Sequence, residues 1–152
     1  MTGWICDACG QKITSAKDGW VEWLENGVEG LKARGLRLVH HRPSSPRAYG
    51  CQYNDKETFK ETRLMVSDLG LEFMVSHDGL MRLLSFLSRD EFLNKEEVLE
   101  MIKRLHIPGY ETGRHHFDAA IAEGVFEPNT PEGYYHQFQI KATNEWVEKA
   151  GR

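Results

Sequence analysis

The sequence predicts an α+β chain in two parts: a small N-terminal β module, then a three-helix domain that closes on a C-terminal β-hairpin. Three observations predict it. Two runs rich in aromatic and β-branched residues, GWVEWL at 19–24 and GLRLVHH at 35–41, flank an Asn26-Gly27 turn signal. Between 77 and 123 apolar residues recur at helical spacing. From Gly133 onward the period falls to two, the signature of a half-buried strand. The boundary is placed between residues 1–53 and 54–152, after the loop HRPSSPRAYGC, whose prolines, serines and glycine are turn formers.

Each helix has its own warrant. In HDGLMRLLSFL, Leu80, Leu83, Leu84 and Leu87 fall on one helical face. Val98, Met101, Ile102 and Leu105 repeat that pattern, with Asn94 as N-cap, Glu96 and Glu97 in the first turn, Lys103 and Arg104 in the last, and Pro108-Gly109 as the stop. A third helix from Tyr110 to Glu123 would bury Tyr110, Phe117, Ala120 and Ile121, with Gly113 marking a close approach of another element. In GYYHQFQIK, Tyr134, His136, Phe138 and Ile140 alternate with polar neighbours, and Val125-Phe126 would pair with that strand across EPNTPEG. A short helix around Trp146 ends the chain. Residues 54–77 read as strand or irregular coil.

Composition narrows the function classes. The hydrophobic fraction of 40% and charged fraction of 28% are those of a water-soluble globular chain. No apolar run reaches the roughly 18 residues that span a bilayer, and no basic-then-apolar leader opens the sequence, so the expected location is the cytoplasm, with no membrane partner. Residues 1–53 carry 7 Lys+Arg against 5 Asp+Glu, a net of +2, and residues 54–152 carry 12 against 18, a net of −6. That acidic surplus disfavours a nucleic-acid partner without removing one, because a local basic patch can sit inside a negative total.

The chemistry concentrates in the first part. CDACG places Cys6 and Cys9 two residues apart, with Gly10 supplying the backbone freedom that a tight knuckle needs. Cys51 is the third and last cysteine, and His40 and His41 end the second extended run. Three thiols and an imidazole make a Cys₃His tetrahedron suited to zinc, and the odd cysteine count fits a metal site in a reducing compartment better than disulfides. Iron in a rubredoxin-like site would want four cysteines. A redox dithiol would follow a strand in a βαβ pattern, and plain burial of all three thiols is the remaining reading. Strand alternation puts Leu36, Leu38 and His40 on one face and Arg37, Val39 and His41 on the other. With the leucine face turned to the metal, the ligands are Cys6, Cys9, His40 and Cys51, with His41 as the alternative to His40. A full Cys₃His shell leaves no open position, so the Zn²⁺ is expected to be structural.

CDACG joined to a short hairpin resembles a zinc ribbon over residues 4–53. That resemblance implies a docking module and a non-enzymatic, zinc-stabilised adaptor or regulator that binds another macromolecule, a protein first. Two other readings come from other residues. GRHHF on the third helix, followed by a hairpin, is similar to a winged helix and implies a DNA-binding regulator, although Glu96, Glu97 and Glu100 make the second helix acidic. VHHRP beside a cysteine knuckle resembles the start of an HNH-type nuclease site, which would require His77 or His136 within metal-bonding reach of His41. No phosphate loop, nucleophile elbow or paired-carboxylate motif supports catalysis. The four tryptophans, Trp4, Trp20, Trp23 and Trp146, read as packing residues.

Overall fold

The computed structural model describes residues 3–26 and 31–151. Asn26 is described and Gly27 is not, so the expected Asn26-Gly27 turn lies outside the described residues. The class is α+β, and no helix among the described residues is long and apolar enough to cross a membrane. The chain forms two compact units that divide between His106 and Ile107.

The first unit opens with a two-stranded ladder, β1 (Trp4–Ile5) against β2 (Lys12–Ile13). A three-stranded antiparallel sheet follows, in the order β4-β3-β5, from β3 (Gly19–Glu25), β4 (Arg34–His40) and β5 (Met65–Gly70). The boundary expected after Tyr53 falls inside this unit, because β5 comes from beyond it and pairs with β3 from Trp20↔Gly70 to Glu25↔Met65. Val21, Trp23 and Leu38 turn one face of the sheet into the core, where the Trp23 ring meets Phe86 edge-on at 5.2 Å.

Three helices cover that face, α2 (Leu71–Met74), α3 (His77–Ser88) and α4 (Lys95–His106), while α1 (Asp55–Thr62) buries no residue and starts beside Glu22 and Asp68 on the other face. The predicted α3 and α4 both form. In α3 the buried positions are Gly79, Leu83 and Phe86, so the inward face is rotated from the leucine stripe and Leu84 is exposed. Gly79 lets α3 approach α2, since a Cβ there would stand 2.4 Å from the Met74 backbone. Asn94 caps α4 as expected, accepting from Glu96 N at 3.0 Å.

The second unit holds α5 (Tyr110–Gly113), α6 (Phe117–Ala122) and α7 (Gln137–Lys149). Its core is aromatic, with Phe117 packed in tilted geometry against Tyr110 and Tyr135 at 5.6 and 4.7 Å and Phe126 edge-on to Tyr135 at 5.3 Å. Two expectations are corrected here. The third helix is two short ones, and GRHHF occupies the break between them instead of a recognition helix. The C-terminal strand is helix α7: His136 and Gln139 form a capping box, and Gln139, Ile140, Thr143 and Val147 are buried at helical spacing. Phe138, expected inside, is 63% exposed, and the winged-helix hairpin is absent among the described residues. The approach at Gly113 is real: a Cβ there would lie 3.0 Å from Asn144 Oδ1 of α7.

Candidate metal centre

The site is assembled by two tight turns. Between β1 and β2, Cys6 N donates to Gln11 O at 2.9 Å and Gly10 N to Cys6 O at 2.9 Å, with Gly10 at φ +76°. This loop turns Cys6 and Cys9 toward one point, and Ala8 N points at the Cys6 sulfur from 3.4 Å. The end of β4 delivers His40, and Cys51 returns after the 42–50 loop.

Cys6, Cys9, His40 and Cys51 come together, with one ligand atom from each lying within 4.8 Å of all the others. His40 Nδ1 is 3.5 Å from Cys9 Sγ and 3.8 Å from Cys51 Sγ. For metal–sulfur and metal–nitrogen bonds of about 2.3 and 2.0 Å, a tetrahedron puts nitrogen and sulfur roughly 3.5 Å apart, so these spacings suit a four-coordinate ion. His40 Nε2 donates to Lys12 O at 3.1 Å, which fixes the tautomer and frees Nδ1 for a metal. His41 goes elsewhere: its ring lies 5.2 Å from that of Trp20, and its N–H donates to Asp18 O at 2.7 Å. The structure therefore brings His40, not His41, to the three cysteines, and no second group of metal-ligating side chains assembles among the described residues.

The thiols are electrostatically unequal. Burial raises Cys51, but hydrogen bonds with Ser45, whose Oγ is 3.1 Å away, with His40 and with the other two cysteines outweigh it and bring the thiol down to about 7. Burial pushes Cys9 up to about 11, aided by Cys6 and Cys51 and opposed by a backbone hydrogen bond at Gln11. Without a cation the cluster thus favours its negative charge on Cys51. A divalent ion would displace the remaining thiol protons and bind all three sulfurs as thiolates.

Several supporting residues were not singled out in the sequence. Asp7, inside the knuckle, accepts from Leu38 N at 2.8 Å and from Arg104 Nη1 at 2.7 Å through the same Oδ2. Arg104, 5% exposed, also donates through Nη2 to Ile5 O at 3.0 Å, so α4 grips both sides of the cysteine turn. An acidic residue within the Cys-x-x-Cys knuckle was the available signal for Asp7; Arg104 carried none, because an arginine in a last helical turn reads as a dipole partner. On the opposite face of the sheet, buried Glu22 pairs with Arg37 at 2.6 Å and accepts from Tyr53 N at 3.1 Å, beside a polar cavity of about 480 Å³.

No protein-family model, curated protein or solved structure matches this chain.

Proposed function

We propose that this protein is a non-enzymatic binding module whose first unit is held together by one structural zinc ion on Cys6, Cys9, His40 and Cys51. The observation that carries the reading is the convergence of those four ligand atoms within 4.8 Å of one another. Three thiolates and an imidazole favour zinc over the harder divalent ions, and a four-ligand protein shell leaves no position for a reactive water. The zinc-ribbon likeness belongs to this reading, in that a cysteine knuckle on a short ladder is completed by ligands from the end of a longer hairpin.

A protein partner fits the second unit best. An apolar groove of about 470 Å³ runs along α7, walled by Pro108, Phe138 and Ile140, with Lys141, Glu145 and Glu148 also lining it. Its chemistry suits an apolar side chain flanked by charged ones.

Elemental analysis tests the metal reading directly. Wild type and His41→Ala are expected to carry about one zinc per chain, and His40→Ala and Cys51→Ala are expected to lose it. Zinc retained by His40→Ala, or no zinc in the wild type, would sink the Cys₃His assignment.

A further inference from the structure

We infer that the loop closing the metal centre, residues 42–50, is a stacking platform for single-stranded nucleic acid. This goes beyond the protein-partner reading and rests on different residues. Tyr49 is 71% exposed, the most exposed of the large apolar side chains among the described residues. It is nonetheless held: the Arg47 guanidinium lies 4.8 Å from the ring centroid, and Arg47 Nη1 donates to the Tyr49 hydroxyl at 3.3 Å. One ring face is backed by a cation and the other is left to a base, an arrangement that serves any base because each has a π-face.

The loop itself carries charge of one sign, although Arg42 also lines the polar cavity with Glu22, Asp55 and Asp68. From His41 to Cys51 the chain carries Arg42 and Arg47 and no carboxylate. Lys12 and Lys17, both exposed, belong to the adjoining 12–18 stretch, which the loop meets through Ser44 Oγ to Asp18 Oδ1 at 2.9 Å and His41 N to Asp18 O at 2.7 Å. The one acidic side chain in that stretch, Asp18, is thereby engaged in holding the loop. An exposed aromatic ring held by an arginine, in a carboxylate-free loop with further cations on the loop and on the adjoining stretch, matches a flexible phosphodiester with unstacked bases.

The platform is also preorganised by the metal centre. Arg42 N donates to Gln52 Oε1 at 2.8 Å, Arg47 N to Ser45 Oγ at 3.2 Å and Gly50 N to Arg47 O at 3.0 Å. Ser45 Oγ lies 3.1 Å from Cys51 Sγ, so the loop is tied to a candidate ligand at one end and begins two residues after His40 at the other. The metal thereby removes loop entropy that binding would otherwise have to cost.

The test is fluorescence anisotropy of the full, zinc-loaded chain with a labelled oligo-dT of about 16 nucleotides, over a salt series. Tyr49→Ala is expected to weaken binding about tenfold, with Tyr49→Trp retaining it and neither changing zinc content. Lys17→Ala with Arg42→Ala should lower the slope of log affinity against log salt by about 1.4. Stripping the zinc from the wild type should abolish binding. The proposal is overturned if oligo-dT does not bind, if affinity is indifferent to Tyr49→Ala, or if stripped protein binds with the same salt slope. It is equally overturned if polyglutamate competes as well as oligo-dT, since the loop would then only attract acidic chains, or if a duplex competes better, since stacking would then play no part. All of these outcomes leave the zinc count and the α7 groove untouched.

Discussion

One titratable atom, the Cys51 sulfur, sets where the pH dependence of metal binding at the centre would change slope. The Cys51 thiol is the one brought below its ordinary range, to about 7, chiefly because Ser45, His40 and the neighbouring thiols stabilise its thiolate against the opposing effect of burial. The sign follows directly. Below pH 7 an arriving ion must displace the Cys51 proton, and above pH 7 that proton is already gone. Apparent zinc affinity should therefore rise with pH throughout, and its slope should be steeper by one proton below pH 7 than above it. Chelator competition between pH 6 and 8.5 measures this. Ser45→Ala removes a hydrogen bond to the thiolate and should move the break in slope upward; an unmoved break would show that Ser45 does not set it. At this scale the sequence was most legible. Thiols and imidazoles have few alternative uses at Cys-x-x-Cys spacing, and strand alternation on Leu36, Leu38 and His40 separated the ligand from His41. Asp7 was illegible because its role depends on Arg104, 97 positions away.

Between elements, the candidate metal centre is braced by α4. Arg104 is buried and spans Asp7 Oδ2 and Ile5 O, the residues on either side of Cys6, while Glu97 at the start of the same helix accepts from Leu36 N in β4 at 2.8 Å. The helix therefore braces the knuckle and the strand that delivers His40. Arg104→Met keeps the aliphatic bulk but removes the charged donors to Asp7 Oδ2 and Ile5 O, at a cost of about 2–4 kcal/mol. It should also weaken zinc by roughly 10–100-fold, as loss of an outer-shell partner does. Competition with a zinc indicator reads the affinity and a denaturant melt reads the stability; a loss of stability with affinity unchanged would mean that α4 braces the core and not the site. Element legibility tracked hydrophobic period. Strands β3 and β4 and helices α3 and α4 were readable because they bury apolar residues in register. Helix α1 buries none of its residues and left only its Asn54 cap as a sign. Helix α7 misled because the residue that marks its inward face is a glutamine: Gln139 is fully buried, donating to Glu127 O at 3.1 Å and Asn129 Oδ1 at 2.9 Å. With that position scored as polar, Tyr134, Phe138 and Ile140 looked like one face of a strand.

The described residues form two units with separate cores, and the candidate metal centre belongs to the first of them. All four ligands belong to the unit that ends at His106, whose core draws on the sheet and on α2 to α4. The unit from Ile107 onward has neither cysteine nor metal cluster among its described residues and relies on Tyr110, Phe117, Phe126, Tyr135 and Ile140. A core of that size without a staple supplies only a few kcal/mol, about 3–5 at most. Binding free energy for the ion is folding free energy for the first unit alone. The zinc-loaded chain should therefore melt in two steps, with the second unit first. Chelation should lower only the other step, by 10 °C or more on the scale of about 4–8 °C per kcal/mol for a domain of this size. Tryptophans separate the signals: Trp4, Trp20 and Trp23 report the first unit and Trp146 the second, so a Trp146→Phe chain confines the fluorescence to the metal-bearing unit while helical circular dichroism follows both. A single transition that moves as a whole on chelation would show that the ion stabilises residues 107–151 as well, and the two units would have to be treated as one cooperative body.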